Sequence, residues 1–129
     1  MKKFAFLIVA GALLIPTASW AVDFTTKLTQ IDGSPFLDGA GKPEEKQTTL
    51  ATIAVNALLA AYPDEQTPPL PAEEKVKRFA LAEKVQLHPS DAQLTVDEVA
   101  LIKKLIGKGY PALVVGEAWR VLDPASVPR

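Results

Sequence analysis

The sequence contains no cysteine. That absence excludes disulfides, thiol nucleophiles, zinc–thiolate sites and covalent haem attachment together, and it excludes lipidation at a leader cysteine. The one histidine, His88, cannot build a multi-histidine metal site. An excess of one charge is lacking as well: 14 basic residues stand against 15 acidic ones. The strongly basic footprint of a nucleic-acid binder is therefore missing. No motif calls for a cofactor. Beyond Val22 no apolar run approaches the roughly 20 residues of a membrane-spanning helix. A fold without covalent or metal staples must be held by packing and by well-finished helix ends.

What the chain does have is the pattern of a secretory leader. Met1-Lys2-Lys3 is positively charged, and Phe4 to Ile15 is an apolar run of 12 residues. Pro16 then interrupts helix formation and leaves an extended stretch ending Ser19-Trp20-Ala21. Small residues at the first and third positions before the cut suit signal peptidase, so residues 1–21 are expected to be removed by cleavage between Ala21 and Val22. An uncleaved anchor is the alternative, weakened by Pro16, Thr17 and Ser19. The expected location is the periplasm or the medium, with no membrane span left after cleavage. The mature chain keeps 108 of the 129 residues, enough for one small domain. Losing Lys2 and Lys3 sets 12 basic residues against 15 acidic, a net charge of about −3.

The mature sequence reads as mainly α: a four-helix domain, 22–129, with a short N-terminal β-hairpin. Val22, Phe24, Thr26 and Leu28 alternate with polar residues, and Asp32-Gly33 signals a tight turn of type I′. A hairpin over about 22–37 is expected, with Pro35 on an edge, followed by a flexible loop at Asp38 to Pro43. The first helix is expected over about 49–62, capped by Thr48 or Thr49, ended by Pro63, and apolar around most of its circumference except at Thr52 and Asn56. The second is expected over about 71–87, with Pro71 at its first position, Glu73 and Glu74 paired to Lys77 and Arg78, and a core stripe of Val76, Phe79, Ala80 and Leu87 interrupted by Glu83. The third, about 95–108, carries a Thr95/Glu98 capping box, a Leu94/Val99 staple, and Gly107 and Gly109 as candidate C-caps. The fourth, about 111–123, places Val114, Val115, Ala118, Trp119, Val121 and Leu122 on one arc. The tail from Ala125 is expected to fray.

Candidates for chemistry are few. His88-Pro89-Ser90-Asp91 holds the residue types of a nucleophilic site, and Glu83 could serve as an acid. Neighbouring side chains in a loop diverge, however, so local capping is the preferred reading of His88, Ser90 and Asp91. For Glu83 it is a solvated or paired position. Lys103, Lys104 and Lys108 are read as favourable charges at a helix C-terminus in preference to an anion site. Gly107-Lys108-Gly109 lacks the spacing of a phosphate-binding loop. Trp119, Tyr110 and Phe36 are read first as core residues and second as contact residues. No catalytic, cofactor-binding or metal residue is assigned.

Val99 to Lys108, Leu113 to Trp119, Leu50 to Leu59, Lys75 to Ala82 and the Asp32-Gly33 turn together resemble a family of small proteins encoded in phages and prophages. The resemblance is a pattern of helices with no catalytic motif. It implies a phage-linked origin and a non-enzymatic role. The expected function is an exported non-catalytic interaction or structural protein whose partner, a protein or another envelope component, is not specified by any motif. Two alternatives are a small periplasmic hydrolase using His88 with Glu83 or Asp91, and a phage morphogenesis protein whose apolar start is not a signal.

Overall fold

The computed structural model describes residues 19–38 and 46–128. Most of the leader, and the expected loop beyond Asp38, lie outside those residues. The described chain is mainly helical: α1 (Leu50–Leu59), α2 (Ala72–Leu87), α3 (Val96–Gly109) and α4 (Ala112–Leu122). Four short strands accompany them: β1 (Ser19–Val22), β2 (Leu37–Asp38), β3 (Lys46–Gln47) and β4 (Ala92–Thr95). β1 runs antiparallel to β4 with Val22 opposite Ala92 and Ser19 opposite Thr95, and β2 pairs antiparallel with β3.

The N-terminal segment buries its alternate residues as expected, but by different pairing. Val22, Phe24 and Leu28 are buried and Asp23, Thr25 and Lys27 exposed. Val22 belongs to the sheet with β4, and the residues after it hydrogen-bond to the chain around α1. Leu28 N–H donates to the Thr48 carbonyl at 2.8 Å, while the Thr26 carbonyl accepts from Leu50 N–H and the Phe24 carbonyl from Ala51 N–H, both at 2.9 Å. The expected hairpin is thus confined to its tip, where Thr29 bridges to Pro35. There the turn is not type I′, because Gly33 alone has positive φ, at 88°. Gly33 N–H donates to the Gln30 carbonyl and Gln30 N–H to the Ser34 carbonyl, the bonding of a three-residue loop closed by a bulge glycine.

The helix α1 lies at the centre, packed on both α2 and α3, with Leu50, Ile53, Ala54, Ala57 and Leu58 buried. Thr49 is its N-cap. Its C-terminus comes earlier than Pro63 would require. Tyr62 hydroxyl donates to the Ala57 carbonyl at 2.6 Å, the acceptor a continued helix would offer to Ala61. Ala60 is extended and Ala61 exposed, so Tyr62 swings its ring back into the core as the chain leaves the helix.

At α3 the expected N-terminus is reproduced in full: Glu98 N–H donates to Thr95 Oγ1 at 3.1 Å, and Thr95 N–H donates to Glu98 Oε1 at 2.9 Å. Leu94 and Val99, the staple, are both buried. The two glycines are not caps. Both lie within α3 and Tyr110 is the C-cap. A Cβ on Gly109 would meet the Tyr62 ring at 3.4 Å, so this glycine admits the ring against the helix backbone. Pro71 and Pro111 precede α2 and α4 as N-caps instead of occupying their first turns. α4 buries Val114, Ala118 and Leu122, with Val115, Trp119 and Val121 half-buried beside them. The tail does not simply fray: Pro124–Ser126 forms a 3₁₀ turn, with Ser126 N–H donating to the Asp123 carbonyl.

Candidate functional site

Helix α2 carries two apolar stripes, and the fold buries the one not expected. Arg78, Leu81, Ala82 and Val85 face the core. Val76 is 64 % exposed, Phe79 54 % and Leu87 70 %, with Ala80 and Glu83 also on the exposed surface. The reason is electrostatic. Burying the outer stripe would bury Glu83, which has no cation to meet inside, and an unpaired carboxylate in the core costs more than several exposed apolar side chains. The inner stripe also contains a charge, Arg78, but a partner is supplied for it.

That partner is Glu65, in the 3₁₀ turn Pro63–Glu65 that follows α1. Arg78 Nη1 and Nη2 donate to Glu65 Oε1 and Oε2 at 2.8 and 2.9 Å, a two-pronged pair with the Arg78 side chain only 6 % exposed. Lys108, from the end of α3, reaches Asp64 and Glu65, each at 2.9 Å, and its ammonium lies 4.8 Å from the centre of the Tyr62 ring. The Arg78 hydrogen bond, with help from Lys108, holds the Glu65 carboxyl down at about 2. The Arg78 guanidinium is raised by the same bond. Burial raises Tyr62. Contacts with Asp64 and then Glu65 raise Lys108. The expected helical pair of Glu74 with Arg78 is replaced by this tertiary one, and Lys77 takes Glu74 at 3.6 Å.

Two hollows flank α2. One, of about 320 Å³, is lined by Leu58, Leu59, Pro69 and Leu70 with Glu65, Lys75 and Arg78. Its Glu65 and Arg78 are already paired to one another, and Gln66 and Lys75 add further polar lining beside the apolar residues. The other, of about 500 Å³, is a groove between α2 and α3. Ala80, Leu81 and Leu101 form its apolar walls, and Glu74, Lys77, Lys84, Asp97 and Glu98 its rim. Lys84 is tied across the groove to Glu98 at 3.1 Å. Ala80 belongs to both the groove and the outer stripe, so the two adjoin, with Glu83 interrupting the stripe and charges of both signs lining the groove.

The residues singled out for chemistry are not assembled into a catalytic arrangement. His88 is exposed and caps the C-terminus of α2 through its backbone N–H to the Lys84 carbonyl. Ser90 and Asp91 are exposed in the turn that follows. Among the described residues the His88 imidazole makes no hydrogen bond to Ser90, Asp91 or Glu83. No group of three or more His, Asp or Glu side chains among them could hold a metal ion, and no helix among them is long and apolar enough to cross a membrane.

The helix-end lysines do more than answer a dipole. Lys103 pairs with Asp123 at 2.7 Å and lies 4.5 Å from the centre of the Trp119 ring. Trp119 Nε1 donates to the Lys103 carbonyl at 3.1 Å. Lys104 alone of the three lysines is exposed. Tyr110 and Phe36 are half-buried against the core, and Trp119 is half-buried beside Gly107. Sequence reasoning missed Arg78 and Glu65. The available signal was that Arg78, Leu81, Ala82 and Val85 share the i, i+3, i+4, i+7 spacing without the interruption Glu83 makes in the other stripe.

Comparison with protein-family models, with curated proteins and with solved structures finds no match for this chain.

Proposed function

We propose that this protein is an exported, non-catalytic interaction protein that engages its partner through the outer face of α2 and the adjoining α2–α3 groove. One observation carries the reading: Val76, Phe79 and Leu87 stand more than half exposed along one side of a helix whose other side is fully packed. Full burial of each such side chain is worth roughly 1.5–3 kcal/mol. A face that forgoes this in a domain with no disulfide is better explained as a surface covered by a partner than as unused core. The mixed charges along the groove rim would align that partner, since Lys77 and Lys84 alternate with Glu74, Asp97 and Glu98. The leader pattern of residues 1–21 supports export. The helical resemblance supports a prophage origin and a role without chemistry.

The test compares proteins recovered with the wild type and with Phe79→Asp from cells expressing each at equal levels, after circular dichroism has shown the same helix content. The reading expects a specific partner with the wild type that is reduced at least about tenfold in the variant, as for loss of one central apolar anchor. A partner retained equally by both proteins would remove α2 from the contact.

A further inference from the structure

The outer face of α2 has an order along it as well as an exposure. Pro71, Lys75, Phe79, Glu83 and Leu87 are spaced four apart, from the N-cap to the last residue of the helix, and all are exposed. Residues at that spacing form one ridge on a helix surface. Taken along α2, this ridge is apolar, positive, apolar, negative, apolar. Its two charges are not engaged within the fold. Lys77 and Lys84, on the groove rim, are paired with Glu74 and Glu98. The side chains of Lys75 and Glu83 have no hydrogen bond or ion pair among the described residues. A partner that covered Phe79 and Leu87 with apolar surface alone would leave both charges desolvated and unpaired, at a large cost. The partner must therefore bring a negative group to Lys75 and a positive group to Glu83, on either side of an apolar centre.

The ridge itself has that order when reversed. Lys75 lies four residues before Phe79 and Glu83 four after it. In an antiparallel pair of α2 helices related by a two-fold axis beside Phe79, Lys75 of each copy meets Glu83 of the other. Phe79 then lies against Phe79, and Leu87 against Pro71. Taking that face as a contact surface, we infer that its occupant is a second copy of this chain, docked through this ridge as a two-fold dimer. Rows spaced by four pack ridge into groove, with the two helices crossing at about 50°. Val76 and Ala80, in the adjacent row, wall the groove that receives Phe79 of the second copy. The two-fold axis repeats each contact, so one ridge yields two ion pairs around a shared apolar centre. The 16 residues of α2 make a helix about 24 Å long and about 10 Å wide. That footprint is smaller than the roughly 800 Å² each partner contributes to a standard stable interface. The dimer is therefore weak, with a dissociation constant on the order of micromolar.

The experiment is sedimentation equilibrium of the protein purified from the cells that make it, over about 1 µM to 1 mM. Wild type is compared with Lys75→Glu, with Glu83→Lys and with the variant carrying both changes. Neither single change removes a contact that the fold uses, and Lys75→Glu adds an acid to the first turn of α2, where the helix dipole favours one. Circular dichroism checks that helix content is the same in all four proteins. A concentration-dependent dimer is expected for the wild type. Each single change sets like charges against each other twice and should weaken the dimer at least about fivefold. The double change restores opposite charges in both pairs and should return the dimer to within about threefold of wild type. A wild type that stays monomeric throughout, a dimer that neither single change weakens, or a double variant no tighter than the singles overturns the second-copy dimer. None of these results removes α2 as a contact surface for a different protein, which stands or falls with the recovery of partners by wild type and Phe79→Asp.

Discussion

Arg78 shows how one residue can decide which way a helix faces. Its side chain is buried on the inner stripe of α2, and the carboxylate that makes this tolerable lies 13 positions earlier, outside the helix. Its Nη atoms are satisfied by Glu65, but its Nε is buried without a hydrogen-bond partner among the described residues. The pair is thus imperfectly compensated, and removing one member should differ in sign from replacing both. Glu65→Gln leaves the guanidinium buried without its counter-charge and should cost about 3–5 kcal/mol in urea unfolding. Replacing both members together, Arg78→Met with Glu65→Leu, removes the orphaned Nε and both charges, and should be neutral or stabilising by up to about 4 kcal/mol. The same pair sets an acid limit. Glu65 is depressed from its ordinary 4.5 to about 2 in the folded state. Its contribution to stability is therefore fully present above about 4.5 and lost as pH falls toward about 2. Asp23 and Asp32, lowered by hydrogen bonds from Thr25 and Ser34, act in the same direction. The part due to Glu65 is the difference in pH slope between wild type and Glu65→Gln, and the variant should unfold with the shallower dependence.

The helices were legible wherever the instruction was local. Thr95 and Glu98 specify the start of α3 within one turn, and both hydrogen bonds of the box are present. Thr95→Ala should cost about 1 kcal/mol in thermal or urea unfolding, the usual loss for a capping side chain. The instruction failed where a distant group intervened. α1 ends early because Tyr62 returns to Ala57 and also reaches the Leu105 carbonyl, at 3.3 Å. The α3 glycines looked like caps because the pattern of apolar residues stops there, whereas the helix runs through both of them. That correction gives a prediction. A Cβ on Gly107 would meet only Trp119 at 3.6 Å, an ordinary contact, so Gly107→Ala should stabilise the protein by about 0.5–1 kcal/mol by restricting the unfolded chain and favouring helix. At Gly109 the same change would press on the Tyr62 ring and should give less or reverse sign.

At the scale of the molecule, the mainly helical class and all four helices follow from periodicity and proline placement. The assembly around them does not. The alternation of Val22, Phe24 and Leu28 specifies which side chains enter the core, but not that their backbone would bond to Thr48, Leu50 and Ala51. Of the two stripes on α2, the sequence puts Val76, Phe79, Ala80 and Leu87 inward, and the fold turns them outward and buries Arg78 against Glu65 instead. The face turned outward by that choice is the basis of the functional reading. It makes no contribution to the packed core, so a charge at Phe79 should leave stability within about 0.5 kcal/mol of the wild type, in contrast to Leu81→Asp on the inner face, which should prevent folding.

The most direct measurement of the central claim is site-specific photo-crosslinking in the cells that make the protein. A photoreactive amino acid is placed at Phe79 on the outer face of α2 or, as the control, at the exposed Lys104 of α3. The account predicts one discrete heavier species from position 79 that is absent from position 104 and is lost when Val76 is changed to Asp in the same chain. The same species from both positions, or none from position 79, would contradict it.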